Sequence, residues 1–540
     1  MGSVVEVKNL TVSAGPAGYE NPIVSDICFT VQPGQVLALI GESGSGKTTT
    51  ALALMAYARE GCRISGGSIL IDGQEILGQG AQFNRQLRGG KISYVAQSAA
   101  ASFNPSRTII DQVIEPTVIH HSCDHATARA RAIALFKELA LPNPEQIGDR
   151  YPHQVSGGQL QRMMAAMALI NDPDVVIFDE PTTALDVTTQ IEVLRAFRHA
   201  IQGRKTTAIY VSHDLAVVAQ MADDILVLKQ GKMQELGETE QMITHPAHPY
   251  TAELLAAQKP RNLPSDFDVG QTAAHVLLEL KNIEAGYGRQ GHSVANKILH
   301  DINFKMYRGQ AIGVIGESGS GKTTLAGVVA GLVAPISGEV LFNEKSIAPL
   351  VRHRTPDLLR KIQMVFQMAD TALNPQLTIE QILARPLVYF HGLEGKALEN
   401  RIVELLDLVK LPASVKHRQP RALSGGQKQR INLARALAAE PDLILCDEVT
   451  SALDTVVGAA ILDLIVELRK ELGVSFLFIS HDLNTVRSVC DEIIVMKQGH
   501  VVAKVQREDY YAPIQHPYYK QLMTSVPELR RDWLTTLHSQ

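Results

Sequence analysis

Short apolar runs, each closed by glycines or by charged residues, recur along the chain. Gln35–Ile40 (QVLALI) and Gln310–Ile315 (QAIGVI) end at glycine-rich segments. Val175–Phe178 and Leu443–Cys446 end at Asp-Glu, while Thr207–Val211 and Phe476–Ile479 end at Ser-His-Asp. Continuous apolar runs of this kind read as strands buried on both faces, and polar groups gathered at their carboxyl ends are typical of parallel sheets. Residues 48–58 and 323–332, just past the glycine-rich segments, predict helices. So do 124–140 and 396–410, in a more helical insert. The pattern is α/β.

The pattern also occurs twice. GESGSGKT at 41–48 returns unchanged at 316–323. In the same order, VKNL (7–10) matches LKNI (280–283), YVAQ matches MVFQ, and Asn104-Pro105 matches Asn374-Pro375. VSGGQ (155–159) matches LSGGQ (423–427), IFDEPTTALD (177–186) matches LCDEVTSALD (445–454), and VSHDL (211–215) matches ISHDL (479–483). LKQGK (228–232) echoes MKQGH (496–500). Asp179 to His213 and Asp447 to His481 have equal separations. An ordered, co-spaced series signals two homologous halves. We read 1–255 as the first domain, 256–277 as a polar linker carrying Pro260 and Pro264, and 278–540 as the second domain with a tail.

Composition narrows the class. With 540 residues, 45% hydrophobic and 20% charged, the chain is long enough for several ordinary globular cores. A net charge of −5 argues against broad nucleic-acid binding. The five cysteines show no CxxC spacing, so reduced thiols are expected rather than a disulfide framework or zinc site. The N-terminus has no signal-peptide pattern, and no run of about 18 apolar residues offers a membrane span. Any membrane role would be exercised from the side.

Gly41–Thr48 and Gly316–Thr323 fit GxxxxGK[ST] between a strand and a helix. Backbone N–H groups of Gly41, Ser43, Gly44, Gly46 and Thr49, and of Gly316, Ser318, Gly319, Gly321 and Thr324, suit phosphate oxygens, with the helix start adding positive potential. Lys47 and Lys322 should reach the β- and γ-phosphates, and Thr48 and Thr323 a magnesium ion. Asp179 and Asp447 end strands where a carboxylate can hold that metal. Glu180 and Glu448 are placed to polarise an attacking water. His213 and His481 read as γ-phosphate sensors. Gln97 and Gln367 suit the metal or the water.

The Ser-Gly-Gly-Gln segments decide among phosphate-loop proteins. With Ser156, Gly157, Gly158 and Gln159, their partners Ser424, Gly425, Gly426 and Gln427, and the Ala184–Asp186 and Ala452–Asp454 segments, the chain resembles the ATP-binding cassette family over nearly its whole length. The resemblance implies two tandem domains, each a RecA-like α/β core with a β-subdomain and a helical signature subdomain, and ATP and Mg2+ as ligands. It also implies intramolecular pairing of the halves. One site would join Lys47, Thr48, Gln97, Asp179, Glu180 and His213 to Ser424, Gly425, Gly426 and Gln427. The other would join Lys322, Thr323, Gln367, Asp447, Glu448 and His481 to Ser156, Gly157, Gly158 and Gln159.

Two departures stand out. The family stacks an aromatic ring on adenine where the second half has Tyr287. The first half has Ala14 there, with Tyr19 as a possible substitute. Val449 replaces the proline found at Pro181 and could loosen the segment behind Glu448.

SFNPSRTIIDQVIEP (102–116), ALNPQLTIEQILARP (372–386), and the HPY tripeptides at 248–250 and 516–518 resemble the dipeptide/oligopeptide/nickel importer branch. That branch implies an energising subunit, peripheral on the cytoplasmic side of the inner membrane. Its partners would be two permease subunits and an extracytoplasmic solute-binding protein, with no nucleic acid. Peptides are the first substrate class, with metal chelates, glutathione and opine-like conjugates open. A translation-associated or regulatory cassette ATPase is the alternative. No cysteine lies in the tails that carry the HPY segments, so no iron–sulfur cluster is expected. His120, His121, Cys123 and His125 read as a solvated loop. Phe103, Ile109, Ile110, Leu373, Leu377 and Ile379 are expected to contribute to a groove for a permease helix.

Overall fold

The computed structural model describes residues 3–16, 20–183, 185–259, 275–290, 293–451, 453–510, 512 and 516–536. Tyr19, Ala184, Ala452 and most of the expected linker lie outside these residues. The chain forms two compact units. The first is Met1–Lys259 with Asp454–Val456 and Pro527–Gln540, and the second is Pro260–Leu453 with Val457–Val526.

In the first unit a six-stranded sheet runs Lys232–Glu238, Asp224–Lys229, Val36–Ile40, Thr207–Val211, Val175–Asp179, Ile92–Val95. All neighbours are parallel except the antiparallel Lys232–Glu238 edge. Every residue of Val36–Ile40, Val175–Asp179 and Thr207–Val211 is buried, as continuous apolar runs require. Period-two alternation splits each strand between two cores. Leu37, Leu39, Ile177 and Ile209 face an antiparallel sheet of Asn21–Val31, Val5–Ala14, Cys62–Ile71 and Gln74–Glu75. Ala38, Ile40, Phe178 and Tyr210 face helices that include Gly157–Leu169 and Val187–Arg204.

The second unit repeats this plan. Its six-stranded sheet runs Ile362–Val365, Leu443–Asp447, Ser475–Ile479, Ala311–Ile315, Glu492–Lys497, His500–Gln506. Its antiparallel sheet holds Ser293–Tyr307, Val276–Gln290, Pro335–Phe342 and Lys345–Ser346.

Two local expectations are revised. The helices after the glycine-rich segments are shorter, at Lys47–Ala53 and Lys322–Ala330, the second stopped by Gly331 in the left-handed conformation. Phe103, Ile109, Ile110, Leu373 and Ile379 do not line an outer groove. They are at most 4% exposed and pack inside their inserts, because the short helices there must bury an apolar face of their own. Exposed apolar residues nearby include Phe366 and Met368, on either side of Gln367, and Ile119 and Tyr389.

Residues 527–536 pack within the first unit. The single tryptophan, Trp533, and Leu534 are buried in its helical-side core. The Gln220 side chain holds this segment at three points. Its Nε2 donates to the carbonyls of Glu528 and Arg530, and its Oε1 accepts from the Leu534 N–H.

Candidate nucleotide site

Each glycine-rich loop is shaped by backbone that only glycine tolerates. Gly41 has φ +145°, and a Cβ there would lie 2.1 Å from the Leu228 carbonyl oxygen. Gly316 has φ +155°, with the Met496 carbonyl oxygen at 2.2 Å. Gly46 and Gly321, both at φ +100°, turn the chain into the helices that begin at Lys47 and Lys322. Ser43 and Gly44, like Ser318 and Gly319, lie exposed at the loop tips.

Lys47 folds back over its own loop and donates to the carbonyls of Gly41 (2.7 Å) and Glu42 (2.9 Å). Lys322 does the same to Gly316 (2.8 Å) and Glu317 (2.9 Å). Burial pushes the Lys47 ammonium below the ordinary lysine value, against the pull of Glu180.

The acidic strand ends meet these loops. Thr48 donates its hydroxyl hydrogen to Asp179 Oδ1 (3.0 Å), and Thr323 donates to Asp447 Oδ1 (3.3 Å). This leaves the threonine oxygen's lone pairs to a cation, so the donor set fits a small, oxygen-preferring divalent ion. Burial raises both aspartate carboxyls above the usual range, a cost that a cation's charge would offset.

Glu180 and Glu448 sit in the left-handed region, at φ 48° and 49°. Their N–H groups are held at 2.9 Å by the carbonyls of Val211 and Ile479. Such backbone in a non-glycine residue is uncommon and gathers at functional sites. The replacement of Pro181 by Val449 leaves this geometry unchanged, and Val449 is buried.

Gln97 Nε2 donates to Glu180 Oε2 (3.1 Å), and Gln367 Nε2 to Glu448 Oε2 (2.8 Å). His213 Nδ1 lies 3.4 Å from Glu180 Oε2, and His481 Nδ1 lies 3.4 Å from Glu448 Oε1. Burial acts to raise both glutamates, but the hydrogen bond and charge of the facing histidine outweigh it, and each carboxyl is lowered. Burial acts to lower both histidines, and the glutamates outweigh it, so each imidazole is raised. In each half the structure therefore gathers lysine, threonine, aspartate, glutamate, glutamine and histidine around one loop.

The signature segments form helix starts. Ser156 caps Gly157–Leu169 through a reciprocal pair of bonds, with the Gln159 N–H donating to Ser156 Oγ (3.3 Å) and the Ser156 N–H to Gln159 Oε1 (3.0 Å). Ser424 and Gln427 repeat these bonds at the start of Gly425–Leu437. Gly158 and Gly426 allow close packing: a Cβ there would lie 2.1 Å from Thr189 and 2.2 Å from Val457. Tyr287 is half exposed near its phosphate loop, its hydroxyl 3.3 Å from Thr324 Oγ1. His120 Nε2 meets the Arg88 carbonyl at 3.0 Å, while Asp124 caps the helix His125–Glu138.

One site residue escaped the sequence reading. Tyr94 donates its hydroxyl to Asp179 Oδ2 at 2.6 Å. The contrast between YVAQ and MVFQ was visible in the repeat, but a tyrosine in a strand reads as core.

Comparison with known proteins agrees with this geometry. A family model described as ABC transporter matches residues 24–183 and 299–451, and one described as Oligopeptide/dipeptide transporter, C-terminal region matches 234–276. The chain is 34% identical to the Glutathione import ATP-binding protein GsiA of Pectobacterium atrosepticum, over 97% of this chain and 89% of that one. It is 36% identical to the Peptidoglycan transport ATP-binding protein YejF of Agrobacterium fabrum, over 97% and 96%. Among solved structures it is similar to cbiO1 from Clostridium perfringens, at 27% identity and TM-score 0.41, covering 49% of this chain and 100% of that one. The repeat in the sequence, the matching geometry of the two halves and likeness along nearly the full length converge: the chain belongs to the ABC transporter family and is a tandem ATPase.

Proposed function

We propose that the protein is the ATP-hydrolysing subunit of an importer for peptides or related small solutes such as glutathione. It would work with two membrane permease subunits and an extracytoplasmic binding protein, lying peripherally on the cytoplasmic face of the inner membrane. No helix among the described residues is long and apolar enough to cross a membrane. The observation that carries the reading is the match of residues 234–276 to an oligopeptide-transporter C-terminal region, next to the same cluster of polar side chains around the loop of each half. The import function named for GsiA supports the same substrate range.

Within each half, the loop amides and Lys47 or Lys322 hold the phosphates. Thr48 with Asp179, and Thr323 with Asp447, would hold Mg2+, which supplies positive charge to the phosphate oxygens. Glu180 and Glu448 orient the attacking water and draw on its proton, while His213 and His481 keep these carboxylates ionised and placed. Gln97 and Gln367, bonded to the same carboxylates, report a change there to the helical inserts that follow them in sequence.

The test is Glu180→Gln combined with Glu448→Gln in the reconstituted transporter. ATP binding should persist while hydrolysis and solute uptake stop. Wild-type hydrolysis would remove the assignment of the two glutamates. Failure to co-purify with permeases would remove the importer reading.

A further inference from the structure

Two repeated motifs have no part in the chemistry above: the HPY tripeptides, and the echo of LKQGK in MKQGH. The structure brings them together behind each phosphate loop. Tyr250 begins the helix Pro249–Gln258, where its N–H donates to His248 Nδ1 (3.1 Å). Its ring is buried, with Lys229 Nζ 4.0 Å from the ring centroid. Its hydroxyl oxygen accepts the N–H of Glu42 at 3.3 Å. The second unit repeats each contact. Tyr518 donates its N–H to His516 Nδ1 (3.2 Å), lies under Lys497 (4.4 Å), and accepts the N–H of Glu317 (3.1 Å). The turn between the two motif strands adds another bond, from Gly231 N–H to the Ser45 carbonyl and from Gly499 N–H to the Ser320 carbonyl, both 3.0 Å.

The bonded atoms give these contacts a purpose. The Glu42 N–H and the Gly41 carbonyl belong to one peptide unit. Tyr250 holds the N–H end and Lys47 holds the carbonyl end. The Glu317 N–H and Gly316 carbonyl are held in the same way by Tyr518 and Lys322. A peptide unit next to a glycine rotates at low cost. Were it to flip, the carbonyl that anchors the lysine would turn away, and the loop would have to be rebuilt before it could hold phosphate. Preorganisation of this kind strengthens binding by removing that rearrangement.

We propose that Tyr250 and Tyr518 are positioning residues of the two nucleotide sites, each fixing one peptide unit of its phosphate loop and so setting the affinity for the phosphates of a nucleoside di- or triphosphate. In the first unit the same helix also reaches the loop of His213, since Gln258 Nε2 donates to Asp214 Oδ1 (3.0 Å). The inference rests on reading Gly41–Thr48 and Gly316–Thr323 as phosphate loops.

The full-length chain is tested as Tyr250→Phe and Tyr518→Phe, which keep the buried ring and lose only the hydroxyl. Losing one hydrogen bond of ordinary net strength predicts that the dissociation constants for ATP and for ADP rise together, by about three- to tenfold at the altered site. The turnover number should stay within about twofold, since no group that touches the reacting atoms has changed. Amide hydrogen exchange gives an independent readout: the Glu42 and Glu317 N–H groups should be protected in the native protein and lose protection in the matching variant. Unchanged nucleotide affinity with unchanged protection overturns the proposal. So does rapid exchange of both amides in the unaltered protein, which settles the matter even if a variant folds poorly. Lys47→Ala and Lys322→Ala test the phosphate-loop reading separately. If they bind nucleotide normally, that reading fails, whatever the tyrosine variants do.

Discussion

The Tyr94 hydroxyl donates to Asp179 at 2.6 Å, whereas Met364, at the matching place in the second half, offers a side chain with no hydrogen to donate. Asp179 is thus held at both oxygens, by Thr48 and Tyr94, and Asp447 is held by Thr323 at the longer distance of 3.3 Å. The two halves share the lysine, threonine, aspartate, glutamate, glutamine and histidine around the loop but differ in how firmly the aspartate is fixed. Tyr94→Phe should weaken metal-dependent ATP binding in the first half by about three- to tenfold, a loss in line with one hydrogen bond of ordinary net strength. Mn2+ titration followed by paramagnetic resonance, in the presence of ATP, measures this directly. Tighter binding in Tyr94→Phe would show that the hydroxyl acts by drawing charge from the carboxylate, not by placing it. Met364→Tyr should move the second half in the opposite direction to Tyr94→Phe.

Tyr287 offers an exposed aromatic face beside the second phosphate loop, and Ala14 takes its place in the first. Stacking on a base contributes on the order of 1–3 kcal/mol. Tyr287→Ala should therefore weaken nucleotide binding in the second half by about tenfold, with discrimination between ATP and GTP reduced. Fluorescence titration of each nucleotide against a variant whose first phosphate loop is disabled by Lys47→Ala isolates that half.

Gly158 has no room for a methyl group, because Thr189 Cγ2 would lie 2.1 Å away. Gly158→Ala should destabilise the first unit by about 1–3 kcal/mol, the usual cost of overpacking. Adding Thr189→Ser, which deletes the clashing methyl, should recover most of that loss in thermal unfolding. A Gly158→Ala protein with native stability would mean that the two helices separate easily.

His300 and His500 stack with ring centroids 4.7 Å apart, beside the turn whose Gly499 backs the second phosphate loop. Burial, then the charges of His500 and Lys297, hold His300 below the ordinary histidine value, against a smaller opposing pull from Glu284. The folded state therefore binds fewer protons than the unfolded one. This contribution to stability is fully present above the ordinary histidine range and is lost as pH falls through it toward the lowered folded value. The melting temperature of the second unit should drop between pH 8 and pH 6 more steeply in the native protein than in His300→Asn. Parallel curves would count against the pair as a source of acid sensitivity.

Much of the molecule was legible in the sequence because its chemistry is local. A phosphate loop needs its glycines, lysine and threonine in one short run, and a repeated run repeats the inference. The central strands were equally plain, since residues such as Leu37 and Ile177 lie in unbroken apolar segments. Side chains whose role depends on a distant partner were not legible. Tyr94 and Asp179 meet only because adjacent parallel strands bring them side by side. Phe103 and Leu373 looked like surface anchors because a short helix shows no clear period, and only the folded insert reveals which face is inward. The tyrosine of each HPY tripeptide was visible as a marker, but its bond to a loop near the start of the same unit was not.

The seat of Trp533 and Leu534 in the first unit bears on how the chain is made. Synthesis runs from the N-terminus, and the Gln220 helix leaves the ribosome long before the segment that Gln220 holds. At about 5–20 residues per second, the gap is on the order of tens of seconds. Throughout that interval the core residues that pack on Trp533 and Leu534 lack this cover. Polypeptides truncated before Pro527 would leave the Gln220 side chain and its apolar neighbours without that cover, so a segment made after the second domain completes the first.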